Sequence, residues 1–353
     1  MENDLLSFVS SFEGGDGLRV EERLGGGYVR LRVSEAERRQ AKHDIRCVED
    51  AVIELLRNAR DAGARHVFVA TSREGNLRSV YVIDDGSGIP PQMHRRVFDA
   101  RVTSKLDSMR MDKWGVHGRG MALYSIAQNA VDARVVASDV GLGTSLMATF
   151  DVSSIVERAD QSTWPTVEKT KKGYEVRGPR NILRACAEFA LEAEGICNVY
   201  VGSASEAIAA MRVRMERPNI VLGEDFVKQL TRLPLAQQPT VARDAKELAF
   251  VAASLGLDMS ERTAHRIVKQ QIIAPKNVRS KLLGMTAART GMGYAGGERL
   301  LSLSKEDKEA FLQQMEHDFS ILAKRYYVVP SGKPRMRVGK GSIRVTFDFL
   351  EDD

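Results

Sequence analysis

The sequence predicts an α/β fold: a two-layer sandwich of helices on a mixed, mostly antiparallel sheet over about residues 46–155, then a mainly helical region and a terminal β-hairpin. Three observations carry this reading. Val48, Ala51, Val52, Leu55, Leu56 and Ala59 recur at three- and four-residue steps, the mark of an amphipathic helix over 46–62. His66–Ala70 and Ser79–Ile83 are β-branched runs on either side of Glu74-Gly75-Asn76, which reads as a hairpin. Beyond residue 173 the helical period dominates, with helices expected near 180–194, 204–216, 223–232, 240–255, 260–272 and 305–325.

The elements follow in order. Residues 1–45 read as an N-terminal extension, in which Tyr28–Val33 alternates like a strand and Ser34 can cap a helix from Glu35 to about Lys42. Gly63 ends the 46–62 helix. A short helix is expected around Gln92–Phe98. Residues 99–117 are polar, glycine-bounded and without clear period, which is the character of a lid. A helix from Gly118 to about Asn129 and strands near 133–138 and 144–151 complete the domain. Residues 156–172, with Pro165 and Lys169-Thr-Lys-Lys172, read as a linker, and 173–330 as the helical region. In the tail, 331–353, a hairpin is expected around Gly339-Lys-Gly341.

Composition limits the alternatives. The chain has 353 residues, 43% hydrophobic and 28% charged, which fits a soluble globular protein of two or three domains. No apolar run is long enough to span a bilayer, and Met1-Glu-Asn-Asp lacks the basic start of a signal peptide, so a cytoplasmic location without a membrane partner is expected. Cys47, Cys186 and Cys197 have no metal-ligand spacing and read as buried free thiols. A net charge of +5 admits a nucleic-acid partner without requiring one.

Four motifs carry the chemistry. In Glu54-Leu-Leu-Arg-Asn58-Ala-Arg-Asp61, Glu54 and Asn58 sit four apart on one helical face. A carboxylate there can take a proton from an attacking water, and an amide oxygen is a hard ligand suited to Mg²⁺. A solvated polar helix edge fits the same pair. Asp84, at the end of an apolar strand, can accept from an exocyclic amine such as adenine N6. Gly86 and Gly88 let the backbone approach a flat base, with Ile89 beside them, although an ordinary acidic turn would look alike. Gly115-Val-His117-Gly118-Arg119-Gly120-Met121 enters a helix, and such a loop offers free N–H groups to phosphate oxygens. The segment before it is polar rather than a strand, which argues against a dinucleotide fingerprint. Lys105, in Thr103-Ser104-Lys105, can reach a phosphate as a point charge, and Thr144, after Gly141 and Gly143, can bond a base or a bridging water.

In this order the motifs resemble the ATPase superfamily of gyrase B, the large heat-shock chaperone, histidine kinases and MutL, whose members share the Bergerat fold. The likeness covers about residues 46–151 and is greatest to MutL, in Glu54–Ala64, in Thr103-Ser104-Lys105 and in Gly115–Leu123. The resemblance implies a Bergerat-type sandwich that binds ATP with Mg²⁺. Glu54 would be the water-activating base and Asn58 the Mg²⁺ ligand. Asp84 and Thr144 would bind adenine, Gly88 would line its pocket, and Gly118 and Gly120 would hold the phosphates. MutL and gyrase continue into a domain that supplies a lysine to the γ-phosphate, and residues 173–353 show no such domain.

Residues 247–270 have the cadence of a helix-turn-helix, broken at Gly256 and capped again by Ser260. Arg262, His265, Arg266 and Lys269 then fall on one outer face, as a DNA-reading helix requires, although a plain helical hairpin with a solvated basic face has the same pattern. Three functions are therefore open: an ATP-driven switch that closes its lid, dimerises and acts on DNA or a DNA-bound partner; a phosphotransferase of the histidine-kinase or anti-sigma type; and a chaperone-like module that binds a protein partner.

Overall fold

The computed structural model describes residues 20–104, 110–117, 120–158, 160–170, 173–218, 226–290, 305–325, 328–339 and 342–351. Two compact units result, Met1–Thr286 and Ala287–Asp353.

The first unit is built on a five-stranded sheet. Before it come β1 (Val20–Gly25), β2 (Tyr28–Leu31) and α1 (Glu35–Asp44), the last opened by a capping box between Ser34 and Glu37. Helix α2 (Val48–Asp61) follows, and its Val48 N–H is satisfied by the Val156 carbonyl at 3.2 Å. It stops where expected, with Gly63 at φ +76° and the Ala64 N–H returning to the Ala59 carbonyl. Strands β3 (His66–Glu74) and β4 (Leu77–Asp84) form the expected hairpin, with Glu74 paired to Leu77 across Gly75-Asn76.

In place of one short helix, residues 91–98 form two 3₁₀ turns, Pro91–Met93 and Arg96–Phe98. The segment expected to be a lid holds β5 (Val102–Thr103) and a small hairpin, β6 (Arg110–Asp112) with β7 (Gly115–His117). Then come α3 (Ala122–Asn129), β8 (Asp132–Asp139) and β9 (Gly143–Asp151).

The segment expected to be a linker contributes a hairpin of β10 (Thr166–Thr170) and β11 (Gly173–Arg177). Helix α4 (Ile182–Glu192) leads to β12 (Asn198–Gly202), a strand the sequence pattern did not reveal. It pairs parallel with β3, so the sheet order is β12-β3-β4-β9-β8, and the sheet does not stop at residue 155. That one parallel pair makes the sheet mixed.

The remaining helices of this unit are α5 (Ala204–Arg214), α6 (Phe226–Leu230), α7 (Gln238–Val241), α8 (Ala245–Ser254), α9 (Glu261–Val268) and α10 (Val278–Thr290). They explain a feature of β3: it is buried on both faces rather than alternately. Val67 and Val69 pack with Val52, Leu55, Leu56 and Phe189 on one side. Phe68 and Ala70 pack with Ile208, Leu248, Val251 and Ile267 on the other. Helices α5 to α9 thus cover the second face of the sheet as a third layer, while α4 and α10 pack with α2 on the first. A buried bond from Ser145 Oγ on β9 to the Leu255 carbonyl, 2.8 Å, fastens the third layer there.

The second unit comprises α11 (Lys305–Arg325), the pair β13 (Val328–Pro330) with β16 (Phe349–Glu351), and the expected hairpin β14 (Arg335–Gly339) with β15 (Ser342–Thr346). Phe319 stacks on Phe347 with ring centroids 4.4 Å apart. Among the described residues no helix is long and apolar enough to cross a membrane.

Candidate functional site

Helix α2 supplies the first wall. Between Ala51 and Ala59 every side chain is buried except Glu54 and Asn58, so these two form a polar stripe that opens off a helix otherwise covered there. Asp61 extends it by one turn. The three line one cavity of about 870 Å³, together with Asp84, Gly88, Ile89, Gly120, Met121 and Thr144. Nine residues singled out in the sequence, from four separate elements, are therefore gathered in one place.

The far wall is made by the ends of β4 and β9. Asp84 and Thr144 are partners across these strands and are 3% and 4% exposed. Oδ1 of Asp84 accepts the Gly86 N–H at 2.8 Å, which turns the chain immediately after the strand. Two glycines permit the close approach of the following loops. A Cβ on Gly88, at φ +74°, would lie 1.8 Å from the Asp139 carbonyl oxygen. One on Gly143, at φ +84°, would lie 2.1 Å from that of Asp84. Ser138, which sequence reasoning did not flag, binds this corner together: its Oγ accepts from the Ile89 N–H at 2.7 Å and donates to the Gly143 carbonyl at 2.8 Å.

Gly120, at φ +68°, lies against the Arg101–Val102 backbone and leads into α3, whose first residues face the cavity. Gly86 and Gly115 do not line the cavity: Gly86 is sealed against Ala62, and the Gly115 carbonyl accepts from Arg57 at 2.9 Å. Lys105, Gly118 and Arg119 lie outside the described residues, as does the side chain of His117.

The N-terminal segment is part of the site. Strand β2 pairs with β5, and Tyr28, Glu37, Gln40 and His43 all line the cavity. Glu37 is ion-paired with Arg101, a wall residue held at φ +57°. The Ser34 N–H first, then the Ser34 hydroxyl and Arg101, hold the Glu37 carboxyl below its ordinary value against the opposing effect of burial. No sequence signal marks this, because the contact joins residues 64 positions apart.

Arg57 dominates the electrostatics beneath Glu54. It is 3% exposed and pairs with both Glu54 and Asp112. Burial opposes its charge, but Asp112 and Glu54 outweigh that and hold it above the usual arginine value. Asp61 is engaged by Arg60 Nε at 3.3 Å.

A divalent ion with a nucleotide fits these donors. The side-chain amide nitrogen of Asn58 is buried without a hydrogen-bond partner among the described residues, a donor that an acceptor such as a phosphate oxygen would complete, while the oxygen of the same amide is the atom suited to a hard cation. Among the described residues no cluster of three or more His, Cys, Asp or Glu could hold a metal by itself.

The basic residues Arg262, His265, Arg266 and Lys269 are all exposed on α9 or just after it, in the layer on the opposite face of the sheet. Helices α8 and α9 form the expected pair. Ser260 caps the second, its Oγ accepting the Thr263 N–H at 3.2 Å, while Ala264 and Ile267 face inward.

Residues 43–154 match the family of histidine kinase-, DNA gyrase B- and HSP90-like ATPases. This stretch has the fold and sequence pattern of the Bergerat-type nucleotide-binding superfamily. Its relatives include the DNA mismatch repair protein MutL of Thermus aquaticus, 45% identical over 84 residues, which are 24% of this chain and 15% of that protein. MutL of Clostridium perfringens is 36% identical over 101 residues, 27% of this chain and 14% of that protein. The histidine protein kinase SaeS of Staphylococcus epidermidis is 28% identical over 108 residues, 29% of this chain and 30% of the kinase. The matched part is thus a small fraction of each relative. Among solved structures, full-length ShkA in complex with AMPPNP matches at 18% identity over 59% of this chain and 46% of that one, with a TM-score of 0.22, too slight a likeness to carry an argument.

Proposed function

We propose that the protein is an ATP-hydrolysing switch whose nucleotide sits in the cavity between α2, α3 and the ends of β4 and β9. One observation carries the reading: Glu54, Asn58, Asp84, Gly88, Gly120 and Thr144 line one cavity, and the Asn58 amide nitrogen there has no hydrogen-bond partner among the described residues. Asp84 accepts from the adenine amine, with Thr144 beside it. Gly88 gives the flat base room. The α3 N-terminus after Gly120 offers N–H groups to the phosphates, supplemented by Lys105, Gly118 and Arg119. Asn58 would hold Mg²⁺ through its side-chain oxygen, and the ion would neutralise phosphate charge. Glu54 takes the proton of a water whose oxygen bonds to the γ-phosphorus as the bond to the β-bridging oxygen breaks, giving ADP and phosphate.

We further propose that α9 contacts DNA through Arg262, His265, Arg266 and Lys269. Their shared exposure on the second helix of a packed pair supports this, as does the role in the name of the MutL relatives. ATP-dependent dimerisation, or capture of a protein partner, would follow lid closure. The likeness to SaeS favours one competing reading, phosphate transfer to a protein side chain.

The test is ATP turnover by the wild type and Glu54→Ala, with and without duplex DNA. Glu54→Ala should slow turnover by about 10²–10⁴-fold, the usual worth of a general base. Equal turnover in both proteins would remove Glu54 from the chemistry. Stable label on the protein after incubation with γ-labelled ATP would favour phosphotransfer.

A further inference from the structure

Arg57 reads in the sequence as one more polar residue on an amphipathic helix, yet it spends its guanidinium on three groups. Nη1 donates to Glu54 Oε1. Nε donates to Asp112 Oδ2 at 2.9 Å, and Nη2 to the other oxygen of that carboxylate. Nη2 also donates to the Gly115 carbonyl at 2.9 Å. Asp112 and Gly115 face each other across the β6–β7 hairpin, and the ring of Trp114 between them lies 5.7 Å from the Arg57 guanidinium carbon. Lys113 ties the same hairpin to α4 through Glu188 at 3.4 Å. One planar fork therefore joins a carboxylate of the cavity to a hairpin of the lid segment.

We propose that Arg57 is a positioning residue that couples the seating of the 110–117 hairpin to the direction of the Glu54 carboxylate. This rests on the reading of Glu54 as the base. With the hairpin seated, Asp112 and Gly115 fix the fork from one side and it holds Glu54 from the other. A hairpin that lifts leaves a buried guanidinium short of a counter-charge, so Arg57 must follow it or turn further onto Glu54. Either motion re-aims the base. A lysine cannot substitute, because a point charge on a flexible stem cannot hold two carboxylates in fixed directions.

Such coupling is reciprocal, so altering Glu54 must be felt in the hairpin even without nucleotide. The experiment is amide hydrogen exchange of residues 110–117 in the full chain. Glu54→Gln should slow exchange at Gly115–His117 by about tenfold, because opening the hairpin would then leave the buried guanidinium without either carboxylate of its fork. In an Arg57→Met background the hairpin is already loose, and Glu54→Gln should add nothing. Arg57→Lys should not restore the wild-type pattern. Should Arg57→Met fail to fold, the near-isosteric Asp112→Asn serves as the background. Identical exchange in the wild type and Glu54→Gln overturns the coupling, and so does a Glu54→Gln effect that persists undiminished without Arg57. Turnover gives a second readout: Asp112→Asn should lower kcat for ATP by about tenfold or more with KM little changed, the pattern of a misplaced catalytic group. An unchanged kcat overturns the coupling alone. Wild-type turnover by Glu54→Ala instead overturns the base reading and leaves the exchange result standing.

Discussion

Glu54 and Asn58 owe their place to what surrounds them: the helix that carries them buries its other side chains from Ala51 to Ala59. Asp85, next to the expected base contact Asp84, does different work. Its Oδ1 accepts the Arg65 and His66 N–H groups at 2.7 and 2.8 Å, and its Oδ2 meets His66 Nδ1 at 2.8 Å. Burial pushes its carboxyl up, but the His66 and backbone bonds together outweigh that and leave it below the ordinary aspartate value. A depressed carboxyl stabilises the fold above its unfolded pKa, and that contribution is lost as pH falls through the folded value. Thermal melts between pH 7 and pH 2 should therefore show the wild type losing an increment in acid that Asp85→Asn lacks, with the variant about 1–2 kcal/mol less stable at neutral pH. Parallel curves would contradict this. At this scale the sequence was legible where type and spacing act together, as in Glu54, Asn58 and Asp61. It was silent where a residue acts through one far away: Arg57 meets Asp112 at a separation of 55 positions, and Ser138 reads as any strand serine.

Elements with strong local signals were readable. Helix α2, the β3–β4 hairpin, β8, β9 and the α8–α9 pair lie close to their expected bounds. Strand β12 was missed because Asn198-Val-Tyr-Val-Gly202 is only five residues between two helices, and its partner β3 lies far earlier in the chain. The lid hairpin was missed because its polar residues have no period. The loops between elements carry the tightest constraints. Gly88→Ala would place a methyl group 1.8 Å from a carbonyl oxygen in a left-handed backbone, so the Ser87–Ile89 turn must shift. The variant should be at least about 2 kcal/mol less stable, on backbone strain and clash together, and should bind nucleotide more weakly. Denaturant unfolding and nucleotide titration measure the two effects. A variant with wild-type stability would show that the loop is not packed as described. By contrast Gly141→Ala meets no atom within 4 Å, so it should lose only the strain of its positive φ, about 1–2 kcal/mol.

Across the first unit, one sheet carries both proposed surfaces: the cavity with α2 and α3 on one face, the α8–α9 pair on the other. The Ser145–Leu255 bond sits one residue from Thr144 in the cavity wall, giving a short physical route between them. Arg262→Ala and Arg266→Ala should each weaken duplex DNA binding and reduce the slope of log affinity against log salt by about 1, as loss of a phosphate contact does. Binding that is indifferent to both would remove α9 as the contact. The central claim, however, is that the cavity holds ATP. Equilibrium titration of Mg-ATP into the wild type and Asp84→Asn tests it most directly. The account predicts saturable binding by the wild type and a loss of at least about tenfold in Asp84→Asn, because a charged acceptor buried against the adenine amine is replaced by a neutral amide. Equal affinity in the two proteins, or no binding by the wild type, would contradict it.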